Sequence, residues 1–451
     1  MTTLSAVAAS ISGTLSGEDR PFQGVSTDTR TIQRGELFVA LKGPNFDGGR
    51  YLSMAQEKGA AGAIVSTPVD DSLAQITVAD TREALGRLGA AWRREQSAVV
   101  VGITGSNGKT TLKELVAACL SETAPTLATA GNLNNEIGVP LMLTRIEPEH
   151  RFAVIEMGAN HIGDIGYLTD LVEPDVVAIT NAGAAHLEGF GSIDGVARGK
   201  GEILCGDARP GVAVLNADDP YFEFWTGLAK DAEIMSFGIE SKADVYATSI
   251  VTRPDGSSFE LHIPRHDAIE IELPLPGLHN VRNACAAAAI ATSVGVSAEQ
   301  IRAALEAAKP VAGRLKPIPG INGAAFYDDS YNANPYSVTA AAEFLAGLPG
   351  EGWLVLGDMG ELGDDAAAMH RDVGAAARAA GVKRLFATGE LSQNAVEAFG
   401  DGARWFDSVE PLIATLRMRV GKETNVLVKG SRYMRMERVI DALTGSGAKD
   451  A

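Results

Sequence analysis

The segment TGSNGKTT, residues 104–111, sets glycines, a lysine and hydroxyls at a spacing suited to holding phosphate. Gly105 and Gly108 let successive backbone N–H groups turn toward anionic oxygens, with Ser106 and Asn107 between them. Lys109 is spaced to reach β- and γ-phosphates, Thr110 to offer a hydroxyl to Mg²⁺, and Thr111 to follow in the first helical turn. The strict phosphate-loop pattern is broken, because Ile103 stands where the first glycine belongs and Gly102 lies one residue early. Context restores the signal. AVVVGIT (98–104) is a continuous apolar run of the buried parallel type, and the residues after Gly108 read as a helix.

A Mg-nucleotide site also needs hard oxygen ligands. Glu156 closes the apolar run RFAVIEMG (151–158), where a carboxylate without a partner is costly, so it is the leading metal-ligand candidate. VVAITNAG (176–183) and GVAVLNADD (211–219) are further runs ending in polar residues, which places those side chains at the carboxyl edge of a parallel sheet, where open α/β folds bind ligands. His186, His161 and Lys200 carry no comparable signal taken singly: the histidines read as loop residues and the lysine as a solvated helix residue.

Three units must position these groups. Residues 22–92 read as a small α/β unit, with strands at FVAL (38–41) and AGAIVS (61–66) and helices over 51–59 and 81–94. A central unit carries the phosphate loop and, over 232–275, the alternating runs IMSFGI, VYATSIV, SSFELHI and IEIELPL, which predict a small antiparallel layer. KPVAGRLKPI (309–318) reads as a connection. Beyond it AAFYDDS, EGWLVLGDM, VKRLFATG and TNVLVKGS predict the strands of a third α/β unit, and the terminal GSGAKDA a frayed end. The boundaries fall at 1–95, 96–312 and 313–451. A net charge of -18, from 39 basic and 57 acidic side chains, argues against nucleic acid as a partner. Three scattered cysteines, no signal peptide and no membrane-length apolar run predict a cytoplasmic protein that is not integral to a membrane.

Taken together, TGSNGKTT, GNLNNEIGVP (131–140), EMGANHIGDI (156–165), NAGAAHLEGFGS (181–192), ARGKGEI (197–203), GLHNVRNA (277–284) and GRLK (313–316) resemble the ATP-dependent Mur ligases of peptidoglycan synthesis. DDSYNANPYS (328–337), GDMGELG (357–363) and VKGSRYMRME (428–437) are similar to the members that add a terminal dipeptide. The members that add diaminopimelate carry DNPR where this chain has NANP. The resemblance runs from STDTR (26–30) to Glu437 and implies an α/β protein of three domains, with a central ATP-binding parallel sheet between two smaller α/β domains. One departure stands out: DGHxF is common in these ligases, and this chain reads DGGRY (47–51), so Gly49 supplies no imidazole.

The resemblance implies roles residue by residue. Lys109 and Thr110 correspond to the phosphate-loop lysine and metal hydroxyl, Glu156 to the metal carboxylate and His186 to a second metal-site residue. Lys200 corresponds to a lysine carbamylated by CO₂, which reverses its bland reading, since a carbamate offers anionic oxygens where an ammonium repels a cation. Asn280 and Asn283 are implied on the adenine side, Arg314 and Asp329 as third-domain nucleotide contacts. Ser26, Thr27, Asp28 and Arg30, with Asp47 and Gly48, are implied at the UDP end. The implied substrates are UDP-N-acetylmuramoyl-tripeptide and D-alanyl-D-alanine, joined through an acyl phosphate with release of ADP and phosphate. A monomer suffices for that mechanism.

Overall fold

The computed structural model describes residues 3–43, 46–70 and 72–445, so all but the first residue of the predicted frayed end lies outside the described residues. Its frame is three sheets in three domains. The central sheet has nine strands, in the order Ile269–Leu273, Gly256–His262, Val245–Arg253, Glu233–Gly238, Val212–Asn216, Val176–Ile179, Val99–Thr104, Phe152–Glu156 and Thr126–Ala128. Continuous apolar strands follow from burial on both faces. Val101, Ile103 and Val154 enter the core under the helices Lys109–Ser121 and Leu278–Ser293. Val100, Ala153 and Ile155 enter a second core on the opposite face. In Leu278–Ser293 the run Ala286 to Ala289 is fully buried, and its small side chains let the helix lie close on the sheet.

Two expectations are corrected. Glu233–Gly238 was expected in the antiparallel layer, yet it pairs parallel with both Val212–Asn216 and Val245–Arg253, and only the two pairings beyond it are antiparallel. These strands also extend the central sheet rather than forming a separate layer. Lys316–Pro319, expected within a connection, is an antiparallel edge strand beside Ala325–Asp329. An edge tolerates Pro317 and Pro319 because one side of the strand needs no ladder donors.

The first domain has a five-stranded sheet, parallel except for its edge strand Thr14–Ser16. Its helix Thr81–Arg94 begins where Asp80 accepts from the Arg82 and Glu83 N–H groups and ends with Arg93 and Arg94 in the last turn, which complements the helix dipole. Arg93 clamps this helix to the central domain, donating to Val172 O, Glu173 O and Asp175 Oδ2. The third domain has six strands, of which five run parallel. In the central sheet Val99–Thr104 lies between Val176–Ile179 and Phe152–Glu156, so the chain winds away from it in both directions and a crevice opens at its carboxyl end.

Candidate functional site

The phosphate loop leaves the sheet at that crevice. Gly105 has φ +140°, and a Cβ there would collide with Thr180 Oγ1. Gly108, at φ +85°, begins the helix Lys109–Ser121, and a Cβ would lie 2.6 Å from Asn283 Oδ1. Both positions therefore require glycine. The loop is fastened to the neighbouring strand end: Ser106 N–H donates to Asn181 O at 2.9 Å, Asn107 N–H to Asn181 Oδ1 at 3.1 Å, and Thr180 Oγ1 to Asn107 O at 2.6 Å. Lys109 Nζ donates to Gly105 O at 2.7 Å. Desolvation, aided by Arg314, lowers the Lys109 pKa, while Glu156 opposes that shift.

A cleft of about 950 Å³ opens in front of the loop, and Lys109, Thr110, Glu156 and His186 all stand in its wall. Glu156 is 2% exposed. Its Oε1 accepts from Asn134 Nδ2 at 2.8 Å, and its Oε2 is buried with no partner. An orphaned carboxylate oxygen in the same cleft as the Thr110 hydroxyl is what a cation would satisfy. Among the described residues no group of three or more His, Cys, Asp or Glu side chains is placed to hold a metal. Mg²⁺ fits this sparse donor set, because it is commonly held by one or two carboxylates together with substrate phosphates.

Lys200 stands behind that wall rather than in it. It is 1% exposed, with Nζ 3.5 Å from Ala159 O and 5.0 Å from the centre of the Phe190 ring. No carboxylate pairs with it among the described residues. Desolvation, reinforced by the charge of Lys109, lowers its pKa to about 7, against weaker opposition from Asp164 and Glu202. The reading of Lys200 as a solvated residue is thus corrected: the glycines around it bring its helix against Phe190 and Trp225. His186 contacts Glu361 of the third domain through Nδ1. His161 stays largely exposed, beside Asp164.

The third domain closes the other side. Arg314 Nη2 lies 3.5 Å from Thr110 Oγ1, with its guanidinium over the Tyr331 ring. Asp329 is engaged within its own domain, accepting from Leu315 N–H at 3.1 Å and from Lys429 Nζ at 2.6 Å. Arg314, Asp329 and Lys429, with Thr111, Asn280 and Asn283, line a smaller cavity of about 100 Å³ adjoining the loop. Asn280 donates to Pro276 O and lies 3.4 Å from Asn283 Nδ2. His279 shares that cavity, and desolvation lowers its pKa to about 4.

The first-domain candidates do not line either cavity. Ser26, Asp28 and Arg30 form a local turn in which Arg30 binds Asp28 through backbone and side chain and holds its carboxyl near a pKa of about 2. Thr27 lies partly buried within that turn. Asp47 caps the next turn by accepting from Gly49 N–H, and Gly48 packs so closely on Ala40 and Leu41 that a Cβ would clash.

Thr180, Asn181, Asn134, His279 and Glu361 are not singled out individually in the sequence, although each lies inside one of the motifs quoted above. A polar residue at the end of an apolar strand was the available signal for Thr180 and Asn181.

Three family models cover the chain: the Mur ligase family catalytic domain over residues 21–93, the Mur ligase middle domain over 103–291, and the Mur ligase glutamate ligase domain over 313–432. The chain is 44% identical to the UDP-N-acetylmuramoyl-tripeptide--D-alanyl-D-alanine ligase of Escherichia coli, covering 99% of both chains. It is 33% identical to the protein of that name in Bacillus subtilis, over 98% of each. Among solved structures, MurF from Acinetobacter baumannii superposes with a TM-score of 0.92 at 38% identity, over 99% of both chains. The MurF ligase from Thermotoga maritima in complex with ADP gives 0.84 at 27%, over 95% of this chain and 99% of that one.

Proposed function

The chain belongs to the Mur ligase family, and from that premise we propose that it joins D-alanyl-D-alanine to UDP-N-acetylmuramoyl-tripeptide in cytoplasmic peptidoglycan precursor synthesis. The observation that supports this reading most directly is the cleft itself, where a phosphate loop, an unpartnered Glu156 oxygen and third-domain cations face one another. No helix among the described residues is long and apolar enough to cross a membrane. One copy of the chain contains every group used below.

A carboxylate is a poor electrophile, so it is first activated by ATP. A carboxylate oxygen of the tripeptide forms a bond to the γ-phosphorus as the bond to the bridging oxygen breaks, giving an acyl phosphate and ADP. Lys109, released from Gly105 O, compensates charge on the transferring group. Mg²⁺ offsets phosphate charge when bound; Thr110, Glu156 and His186 in the cleft wall would hold it, and a carbamate on Lys200 would add anionic oxygens from behind that wall. The dipeptide amine then attacks the acyl carbon, phosphate leaves, and the amine gives up a proton. Two imidazoles stand in the cleft wall, His161 and His186, and His186, when its Nε2 is not engaged by metal, is one candidate to accept that proton.

Gly105, Ser106, Asn107, Gly108 and Thr111 cradle the nucleotide with Lys109 and Thr110. Asn280, Asn283, Arg314 and Asp329 complete its site. Ser26, Thr27, Asp28, Arg30, Asp47 and Gly48 hold the UDP end, in a domain spanning residues 1–95. Residues 96–312 bind ATP, and 313–451 bring the dipeptide and exclude water from the acyl phosphate. ADP release measured with each peptide substrate omitted in turn tests the reading. Release requires both, and rapid ADP formation from ATP alone would contradict a ligase.

A further inference from the structure

Among the described residues, three sets of polar contacts join the third domain to the central domain around the cleft. Arg314 approaches Thr110, and Asn334 Nδ2 donates to Asn107 Oδ1 at 2.7 Å. Both of these fall on phosphate-loop groups that the proposed nucleotide engages. The third set lies away from the loop. Glu361 takes hold of the central domain twice, its carboxylate against His186 Nδ1 and its backbone carbonyl accepting from Glu188 N–H at 3.2 Å.

Both partners are set for this meeting. Glu361 has φ +60° and His186 φ +55°, a left-handed backbone that L residues with long side chains seldom adopt unless the surroundings impose it. On the third-domain side, the loop that carries Glu361 is fixed at successive residues. Met359 N–H donates to Nε2 of the fully buried His370 at 2.9 Å, and Gly360 N–H donates to Ser431 Oγ at 2.7 Å. On the central side, His186 is the N-terminal flanking residue of the short helix Leu187–Phe190. A rigid mount on each side turns one contact into a constraint on domain orientation.

We propose that Glu361 is a positioning residue, an interdomain latch that grips His186 and Glu188 and holds the third domain over the phosphate loop while nucleotide occupies it. The latch deepens the ligase reading and rests on it for its consequence, which is a completed dipeptide site. A chain without it samples open arrangements, and dipeptide binding is weakened by the fraction of molecules that are not closed.

The test uses the full-length protein. Spin labels replace the exposed Ser241 of the central domain and Asp401 of the third, in a Cys205→Ser background, since Cys205 is exposed and the other two cysteines are buried. Glu361→Gly removes the side chain, keeps the carbonyl that meets Glu188 and relieves the left-handed backbone, so misfolding is not the expected failure. Glu361→Gln keeps the length and one acceptor oxygen. With Mg-ADP bound, the wild type gives a narrow interlabel distance distribution, Glu361→Gly a broad one, and Glu361→Gln an intermediate one. In parallel, KM for D-alanyl-D-alanine rises about tenfold in Glu361→Gly, and any fall in kcat reports the support that His186 has lost with it. Unchanged distances overturn the latch whether or not activity falls. Broadened distances with an unchanged KM overturn its positioning role. The distance arm needs no turnover, so a wild type unable to make the amide would sink the ligase reading while the latch was still judged on distances.

Discussion

Removing CO₂ from the buffer should reversibly inactivate this enzyme, because Lys200 is buried, has no anionic partner and is desolvated to a pKa of about 7. Carbamylation consumes the neutral amine. An amine of pKa about 7 is roughly three-quarters neutral at pH 7.5, whereas an ordinary lysine is neutral in only about one molecule in a thousand. Burial thus enriches the reactive form several hundred-fold, by about the ratio of those fractions. Protonation competes as pH falls through 7, so the loss on CO₂ depletion deepens toward pH 6, and added bicarbonate reverses it. Lys200→Ala should cost about 10²- to 10³-fold in turnover, the scale for deleting one group that organises transition-state charge. A small carboxylate such as acetate should restore part of that loss by entering the vacated space, and Lys200→Arg should not retain activity. The assay is amide formation in CO₂-depleted and bicarbonate-supplemented buffer, alongside intact mass after trapping the carbamate by O-ethylation. Full activity without CO₂, no trapped adduct and near-normal turnover of Lys200→Ala would refute the reasoning.

Lys109→Ala should lower ATP turnover by about 10²- to 10³-fold while leaving the unfolding midpoint unchanged, because among the described residues the ammonium bonds only to Gly105 O; normal turnover in the folded variant removes that role. Glu156→Gln should raise the Mg²⁺ requirement by about tenfold or more, and without metal its thermal midpoint should hold or rise, since an orphaned anionic oxygen has been neutralised; an unchanged magnesium titration excludes Glu156 from the site. For His279, the folded pKa of about 4 lies below the ordinary value, so the unfolded chain takes up the proton first. Its contribution to stability is complete above about pH 6.5 and is lost as pH falls toward 4. Urea midpoints at pH 7 and pH 4.5 should therefore differ less in His279→Asn than in the wild type, and equal differences would show that His279 does not control that limb.

Much of the frame was legible because its signals are local. Val99–Thr104 and Phe152–Glu156 are apolar up to their last residues, as strands buried on both faces must be. Glu156 was legible as a charge at the end of an apolar strand. Glu233–Gly238 was misread because it leads straight into strands that pair antiparallel, while its own burial rises along the strand and it pairs parallel on both sides. Lys316–Pro319 was hidden by its prolines, which an edge position tolerates. The polar links were least legible. Asn107 meets Asn181 and Asn334, and His186 meets Glu361, across long stretches of chain, and no periodicity encodes which asparagine or carboxylate arrives. Lys200 shows the same limit, since its burial depends on Phe190 and on glycines packed against that ring.

The central claim is that this cleft activates a carboxylate as an acyl phosphate and delivers it to D-alanyl-D-alanine. Mass spectrometry of the products tests it most directly, with Mg-ATP, D-alanyl-D-alanine and UDP-N-acetylmuramoyl-tripeptide labelled with oxygen-18 in the acceptor carboxylate. The expected products are the UDP-linked pentapeptide, ADP, and inorganic phosphate carrying an oxygen-18 atom from that carboxylate. Unlabelled phosphate, or efficient addition of a single diaminopimelate to a UDP-linked dipeptide in place of the pentapeptide, would contradict it.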